Sequence, residues 1–309
     1  MSETAAIRTA GLGKTYGGRG PRSGPPVHAL RDLSIEVQRG EIFGFLGPNG
    51  AGKSTTIRIL MGFLHATHGD AEVLGRDVRT DGLAIRAEVG YLPGGIAFPD
   101  SLSGEAVLDY LARIHGRPAP LREQLIERLE LSRTDLRRLV RDYSRGMRQK
   151  IGIIQAMQHD PELLVLDEPS EGLDPLMQRA FYELLEERRA AGRTIFFSSH
   201  VLSEVERICD RVAIIRGGEL VALSAVETLL AHRRRVVDLR FDGPAPDLAA
   251  VPGVIDLVVG EGRIGCAIEG EVAPFLAAIA GTAVRDLVIE PARLEDAFLS
   301  FYEPAAVAP

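Results

Sequence analysis

The stretch GPNGAGKST, residues 47–55, has the residue types and spacing that hold a phosphate chain. It fits the pattern G-x-x-x-x-G-K-[ST] and lies between a strand-like apolar run and a helical pattern, which is the context that this motif requires. Its backbone N–H groups would cradle the β-phosphate of a nucleotide, its lysine would reach the β- and γ-phosphates, and its serine hydroxyl would hold Mg²⁺. The predicted nucleotide-binding residues are Gly47, Pro48, Asn49, Gly50, Ala51, Gly52, Lys53, Ser54 and Thr55.

Two adjacent carboxylates, Asp167 and Glu168, follow the apolar run LLVL. A buried strand that ends in carboxylates delivers them to the carboxyl-terminal edge of an open α/β sheet, where a phosphate-binding loop also lies. Asp167 is predicted to bind Mg²⁺ together with Ser54, directly or through water. Glu168 is predicted to polarise the attacking water. The alternative is a pair that caps the following helix, and the phosphate-binding loop favours the catalytic interpretation.

Three single residues could reach a nucleotide from other segments. His200 directly follows the apolar run TIFFSS, so it could contact the γ-phosphate, or it could cap a helix or pack. Tyr16 ends the first predicted strand and could stack on adenine or simply pack against the sheet. Ser144, in DYSRGMRQK, precedes a helical pattern and is a predicted N-cap. A helix capped in this way presents free N–H groups and a positive dipole end, which suit an anion.

Length and composition indicate a soluble globular protein. The 309 residues, 45% hydrophobic and 26% charged, correspond to about two domains. No apolar run reaches the ~18 residues of a membrane span, and the N-terminus lacks a signal pattern, so we expect a cytoplasmic chain. Cys209 and Cys266 have no metal-binding or disulfide spacing. Residues 236–309 carry twelve acidic and four basic side chains, which argues against nucleic acid as a partner.

The order of strand and helix signals predicts an α/β fold. Strand signals dominate the first 45 residues, helical periodicity dominates residues 104–158, and strands then alternate with helices up to a hairpin. We predict a P-loop NTPase sheet, mainly parallel, with a β-rich N-terminal part and an all-helical insertion at about 96–160. The rhythm ends near HRRRV, so the predicted domains are 1–235 and 236–309. The second is predicted to be a small acidic α+β unit whose last helix is ARLEDAFLSFYE.

Four motifs in chain order, GPNGAGKST, YSRGMRQK, LLVLDEPSEGLDP and SSH, resemble the nucleotide-binding subunit of an ABC transporter. The resemblance covers residues 5–230 and implies ATP hydrolysis with Mg²⁺ as cofactor. It implies a multi-span membrane permease as partner and a second ATP-binding subunit, with a homodimer expected. It assigns Ser144 and Gly146 to the phosphate-facing signature loop, Asp174 to the D-loop, His200 to the switch histidine and Tyr16 to the adenine-stacking aromatic.

Within the family, YSRGMRQK and the ending ARLEDAFLSFY resemble bacterial exporter ATPases for drugs, antibiotics or lipids, whose membrane part is a separate polypeptide. The resemblance therefore implies a peripheral position on the inner face of the cell membrane. Two places depart from the commonest pattern. Gly94 follows YLP, where the family usually has a glutamine that helps to hold Mg²⁺ and signals to the membrane subunit. The signature loop has Arg145 and Met147 where glycine and glutamine are most common.

Two other functions compete with transport. A DNA-associated ATPase head would carry a long coiled coil or a zinc module, but residues 56–142 contain neither sustained heptads nor a cysteine. A nucleotide sensor without hydrolysis is disfavoured by Glu168. The signature helix belongs to the helical insertion, which must project away from the edge that holds the phosphates. We therefore predict that Ser144 and Gly146 bind the γ-phosphate of the other subunit's ATP in a head-to-tail dimer.

Overall fold

The computed structural model describes residues 5–17, 25–231 and 234–290. The chain divides into two compact units, Met1–Leu223 and Ser224–Pro309, whereas the sequence pattern places the boundary between 235 and 236. Within the described ranges, no helix combines the length and the apolar content that crossing a membrane requires.

The strands of the first unit form two sheets. In chain order they are β1 (Ala5–Tyr16), β2 (Val27–Leu33), β3 (Glu36–Gln38), β4 (Ile42–Leu46), β5 (His68–Val73), β6 (Arg76–Asp77), β7 (Val89–Leu92), β8 (Leu163–Asp167), β9 (Thr194–Ser199), β10 (Arg211–Arg216) and β11 (Glu219–Ala225). One sheet has the order β2-β1-β5-β6, with β3 also paired to β1. Its β1 pairs antiparallel with β2, β3 and β5, which is the β-rich N-terminal part predicted from the sequence.

The second sheet has the order β11-β10-β4-β9-β8-β7, and its pairs from β10 to β7 are parallel. Strands β4, β8 and β9 are buried at every position, which is why each is a continuous apolar run rather than an alternating one. Leu46 at the end of β4 pairs with Ser199, and Asp167 at the end of β8 pairs with Ser198. The loops that follow these three strands therefore start at one edge of the sheet.

Eight helices are described in the first unit: α1 (Lys53–Leu60), α2 (Gly82–Glu88), α3 (Gly104–His115), α4 (Arg122–Arg128), α5 (Arg133–Arg137), α6 (Arg145–Met157), α7 (Pro175–Ala190) and α8 (Leu202–Ile208). Between Gly104 and Met157 the structure is helical, as the periodicity of this region predicts. A large core cluster joins both sheets to α1 through residues such as Leu12, Val37, Phe45, Ile57 and Phe196. The predicted fold class, a P-loop NTPase sheet with a helical insertion, is confirmed.

The second unit is a small α+β fold with its own core. It contains α9 (Val226–Ala231), β12 (Arg234–Asp242), β13 (Val254–Gly260), β14 (Arg263–Glu269), α10 (Ala273–Ile279) and β15 (Ala283–Glu290). The four strands form an antiparallel sheet in the order β13-β14-β12-β15. Phe275 and Ile279 of α10 belong to the same buried cluster as Val237, Leu239 and Phe241 of β12. The helix predicted at ARLEDAFLSFYE lies outside the described residues.

Candidate nucleotide-binding site

The loop from Gly47 to Gly52 is packed so tightly that side chains at its ends would collide with backbone. A Cβ at Gly47 would lie 2.5 Å from the carbonyl oxygen of Ile215, and one at Gly52 would lie 2.6 Å from that of Ala29. Gly52 also has a φ of 110°, which favours glycine. It precedes α1 without a side-chain cap, so the first N–H groups of that helix are available to a ligand. The loop thus forms a cradle of backbone suited to phosphate.

Lys53 is buried and faces this loop and the neighbouring strand end. Its Nζ donates a hydrogen bond to the carbonyl oxygen of Gly47 at 2.6 Å. The same Nζ lies 3.2 Å from Oε1 of Glu168, and only 5% of the lysine side chain is exposed. A cation held in this low-dielectric place interacts strongly with an anion that enters the cradle.

Ser54 and Asp167 bring hard oxygen ligands together. The Ser54 hydroxyl donates to Oδ2 of Asp167 at 2.9 Å, and the Ser198 hydroxyl donates to Oδ1 at 3.1 Å. Hydroxyl and carboxylate oxygens are the donors that Mg²⁺ prefers, and it usually keeps several waters beside them. The pair therefore fits Mg²⁺ at the point where the phosphate loop meets β8, as the sequence pattern predicts.

Glu168 lies between Lys53 and His200. Its Oε2 is 2.7 Å from Nδ1 of His200, and its Oε1 contacts the lysine. The backbone of Glu168 has a φ of 51°, a strained conformation for a residue with a Cβ, and its N–H donates to the carbonyl oxygen of Ser198 at 3.1 Å. The carboxylate has one cation and one imidazole beside it, an arrangement that can accept a proton from water.

The walls of the cavity include residues that the sequence pattern does not single out. Besides the loop and the two carboxylates, Ala29, Arg58, Phe63, Tyr91 and Gly94 line it. Burial, and then the charge of Asp167, raise the pKa of Tyr91 to about 12. The one sequence signal for Tyr91 is its position as the first residue of the YLP stretch that precedes Gly94. A Cβ at Gly94 would lie 3.2 Å from Oδ2 of Asp167, so a glutamine at this position would crowd the carboxylate that is predicted to hold Mg²⁺.

Seven predicted site residues are not among those that line this cavity. Gly47 and Ala51 belong to the phosphate loop and His200 contacts Glu168, while Tyr16, Asp174, Ser144 and Gly146 lie elsewhere. Tyr16 is 40% exposed and has the Lys14 ammonium 5.2 Å from its ring centre. Asp174 caps α7 by accepting hydrogen bonds from the N–H groups of residues 176 and 177, both at 3.0 Å. Ser144 is exposed and caps α6, accepting from the N–H of residue 147 at 3.2 Å. Gly146 follows, and a Cβ there would lie 2.8 Å from the carbonyl oxygen of residue 172.

A family model described as "ABC transporter" matches residues 30–171 of the chain. An uncharacterized ABC transporter ATP-binding protein of Nostoc sp. is 40% identical over 238 residues, which cover 74% of this chain and 69% of that protein. The chain belongs to the ABC transporter ATP-binding proteins. A comparable match to a relative from Synechocystis sp. spans 59% of that protein's length.

Relatives of this ABC ATP-binding protein include two with named substrates. The bacitracin transport ATP-binding protein of Bacillus licheniformis is 36% identical, covering 76% of this chain and 74% of the relative. The fluoroquinolones export ATP-binding protein of Mycobacterium tuberculosis is also 36% identical, covering 78% of each. The solved structure of an ATP-binding subunit of an ABC transporter is 29% identical, with a TM-score of 0.64, over 72% of this chain and 91% of that one. The chain is thus an ABC-type ATPase of transport systems, and none of these matches supports the DNA-associated alternative.

Proposed function

We propose that this ABC ATP-binding protein hydrolyses ATP to power export of a drug, antibiotic, lipid or similar compound through a separate multi-span permease. The observation that carries the proposal is the placement of Glu168, between the Lys53 ammonium and the His200 imidazole and at the mouth of a glycine cradle. The names of the bacitracin and fluoroquinolone relatives support the substrate class. Family membership supports association with a permease and with a second subunit, and hence a peripheral position at the inner face of the membrane.

The backbone cradle of the loop from Gly47 to Gly52 would bind the substrate ATP. The N–H groups from Gly50 to Ser54 would face the β-phosphate, since the glycines leave the backbone bare. Lys53 would exchange its contact with the carbonyl of Gly47 for the β- and γ-phosphate oxygens. The backbone N–H of Thr55 would add a further donor in the first turn of α1. Tyr16 would stack on adenine from outside the cavity.

Ser54 and Asp167 would hold Mg²⁺. When bound, the metal neutralises charge that develops on the phosphate oxygens. Ser198 keeps one oxygen of Asp167 occupied as an acceptor, which orients the other toward Ser54. This second contact holds the carboxylate in place before the ligand arrives.

Glu168 would orient the attacking water and accept its proton, and His200 would hold the carboxylate in position and reach the γ-phosphate. Ser144 and Gly146 would bind the γ-phosphate of a second copy, with Asp174 in the same contact. Their place outside the cavity of their own chain supports this composite site. Closure of such a dimer would depend on ATP, and hydrolysis would release it.

The proposal predicts that Glu168→Gln keeps ATP binding but lowers the hydrolysis rate by about 10²- to 10⁴-fold, since the amide cannot accept the proton. Steady-state ATPase assays and nucleotide-binding titrations on the full chain measure the two effects separately. Glu186→Gln, at an exposed position on α7, is the matched control and keeps the wild-type rate. Lys53→Ala differs by weakening ATP binding itself. A Glu168→Gln protein that hydrolyses ATP within a few-fold of wild type would place the base elsewhere.

A further inference from the structure

A second buried carboxylate, Glu204 of α8, lies next to the proposed catalytic residues without being one of them. It is 8% exposed, and Ser170 and Ser199 beside it are 6% and 0% exposed. The Ser170 hydroxyl donates to Oε1 of Glu204. The Ser199 hydroxyl donates to Oε2 at 2.6 Å. Each carboxylate oxygen therefore accepts a hydrogen bond from one serine hydroxyl.

The two serines belong to the two loops that carry the proposed chemistry. Ser170 comes two residues after Glu168, in the loop that follows β8. Ser199 is the last residue of β9 and directly precedes His200. Its hydroxyl also accepts a hydrogen bond from the N–H of residue 201 at 2.9 Å. Glu204 thus connects the loop that carries the proposed general base to the turn that carries its histidine.

Burial of the Glu204 carboxylate carries a large free-energy penalty, which a purely structural role would not require. In the part of the chain that the structure describes, Glu204 forms no ion pair, and a buried carboxylate with only hydroxyl partners has a large desolvation penalty. Its charge is felt nearby, because burial first and Glu204 second raise the pKa of the Tyr182 phenol above its usual range. An apolar side chain could be buried here with a smaller free-energy penalty. The carboxylate is favoured only if the hydroxyls of Ser170 and Ser199 need one acceptor that binds both.

We infer that Glu204 is a positioning residue, which fixes the separation of Glu168 and His200 by holding Ser170 and Ser199 together. The inference rests on the proposed hydrolysis at Glu168. A short rigid link of this kind affects the reacting geometry, while ATP binding depends on the cradle of residues 47–55. Loss of the link should therefore lower kcat and leave KM nearly unchanged.

The test is a series of Glu204 variants in the full-length chain, assayed for steady-state kcat and for KM with ATP and Mg²⁺. Glu204→Ala releases both serines and should lower kcat by roughly 10- to 100-fold, with KM within about threefold. Glu204→Asp shortens the link and should fall between. Glu204→Gln keeps the length, and since a serine hydroxyl can accept as well as donate, it should recover most of the kcat lost in the alanine variant. Glu186→Ala removes an exposed carboxylate from α7 and is the control.

Two outcomes would overturn the inference. One is a folded Glu204→Ala protein with wild-type kcat. The other is a series in which KM rises while kcat stays constant. If Glu204→Ala does not fold, Glu204→Asp against Glu204→Gln decides, because equal kcat values in these two variants would remove the argument from side-chain length. Glu168→Gln in the same assay tests the proposed function separately. An active Glu168→Gln protein would show that Glu168 is not the general base, whatever the Glu204 series shows.

Discussion

Glu168 has a backbone φ of 51°, and Gly52 on the facing loop has a φ of 110°. Both lie in the left-handed region, which costs a residue with a Cβ about 1–3 kcal/mol. The phosphate loop has glycine there, but the position directly after β8 has the proposed catalytic carboxylate itself. The N–H of Glu168 and the contacts of its carboxylate to Lys53 and His200 hold that conformation. At this scale the site depends on where the backbone turns as much as on which side chain follows.

A different pair of residues makes stability depend on pH. The rings of His115 and His159 lie 3.9 Å apart, centre to centre, where α3 and α6 end. Burial, then the charges of His115 and Arg117, lower the pKa of His159 from 6.5 to about 4, against a smaller opposite effect of Asp160. Between pH 6.5 and 4 the unfolded chain therefore binds a proton at this position that the folded chain does not.

We predict that the free energy of unfolding is constant in this contribution above pH 6.5 and falls by at most about 3 kcal/mol as the pH drops to 4. His159→Gln should flatten this part of the pH profile. His65→Gln, at an exposed position, should leave it unchanged. Urea unfolding at a series of pH values measures both slopes. Identical profiles for wild type and His159→Gln would show that His159 titrates normally in the folded chain.

At the scale of elements, the hairpin between β10 and β11 supports the phosphate loop. The N–H of Gly218 donates to the carbonyl oxygen of Ala51 at 3.0 Å, and the carbonyl of Gly218 accepts from the N–H of Arg31 at 2.8 Å. A Cβ at Gly218 would lie 2.8 Å from the carbonyl oxygen of Ala29, while one at Gly217 would meet nothing within 4 Å. The turn is thus packed between β2 and the predicted phosphate loop.

Gly218→Ala should therefore weaken ATP binding as well as stability, because the turn must move away from Ala51. Gly217→Ala is the matched control, since it also has a positive φ but has open space around its Cβ. It should cost about 1 kcal/mol of stability and leave ATP affinity unchanged. Nucleotide titration and thermal unfolding of both variants check this. Equal ATP affinity in the two proteins would mean that the hairpin does not position the loop.

The strands and the residues of the candidate nucleotide site could be predicted from the sequence to different extents. The apolar runs of β4, β8 and β9 lead directly into Gly47, Asp167-Glu168 and Ser199-His200. A parallel sheet with these residues at one edge therefore follows from strand physics. The contacts of Glu204 could not be predicted, because it is one glutamate among several on a helical pattern and its partners come from two distant loops. Pairing of residues far apart in sequence also decides that Tyr91 and Ala29 line the cavity.

At the scale of the whole molecule, the second unit has a core of its own. The residues of its core cluster all come from positions 237–279, and the cluster of the first unit contains none of them. The pattern of strands and helices also changes in this part of the chain. These observations support a second domain that folds independently.

We predict that a chain ending at residue 235 remains a folded protein that binds ATP. Its nucleotide cavity and the core cluster around α1 are complete without residues 236–309. Thermal unfolding and nucleotide titration of the truncated and full-length chains check this. An insoluble truncated chain, or one that unfolds without cooperativity, would show that the two units share their stability.

We propose that each active site of the assembled protein uses two copies of the chain. Lys53 faces the cavity of its own chain, whereas Ser144 caps a helix whose start does not line that cavity. In a two-fold head-to-tail pair, the phosphate loop of one copy and the signature loop of the other form each site. A defect in Lys53 and a defect in Ser144 on different copies would then fall in the same site and leave the second site intact.

The most direct test is the ATPase rate of a mixed dimer of Lys53→Ala and Ser144→Arg chains, purified through two different affinity tags. Each variant alone should be inactive, because every site in its homodimer carries a defect. In the mixed dimer, one site contains both defects and the other contains neither, so we predict that ATP hydrolysis returns. If each chain instead completed its own site, both sites of the mixed dimer would be defective. A mixed dimer that forms but hydrolyses no ATP would contradict the composite site.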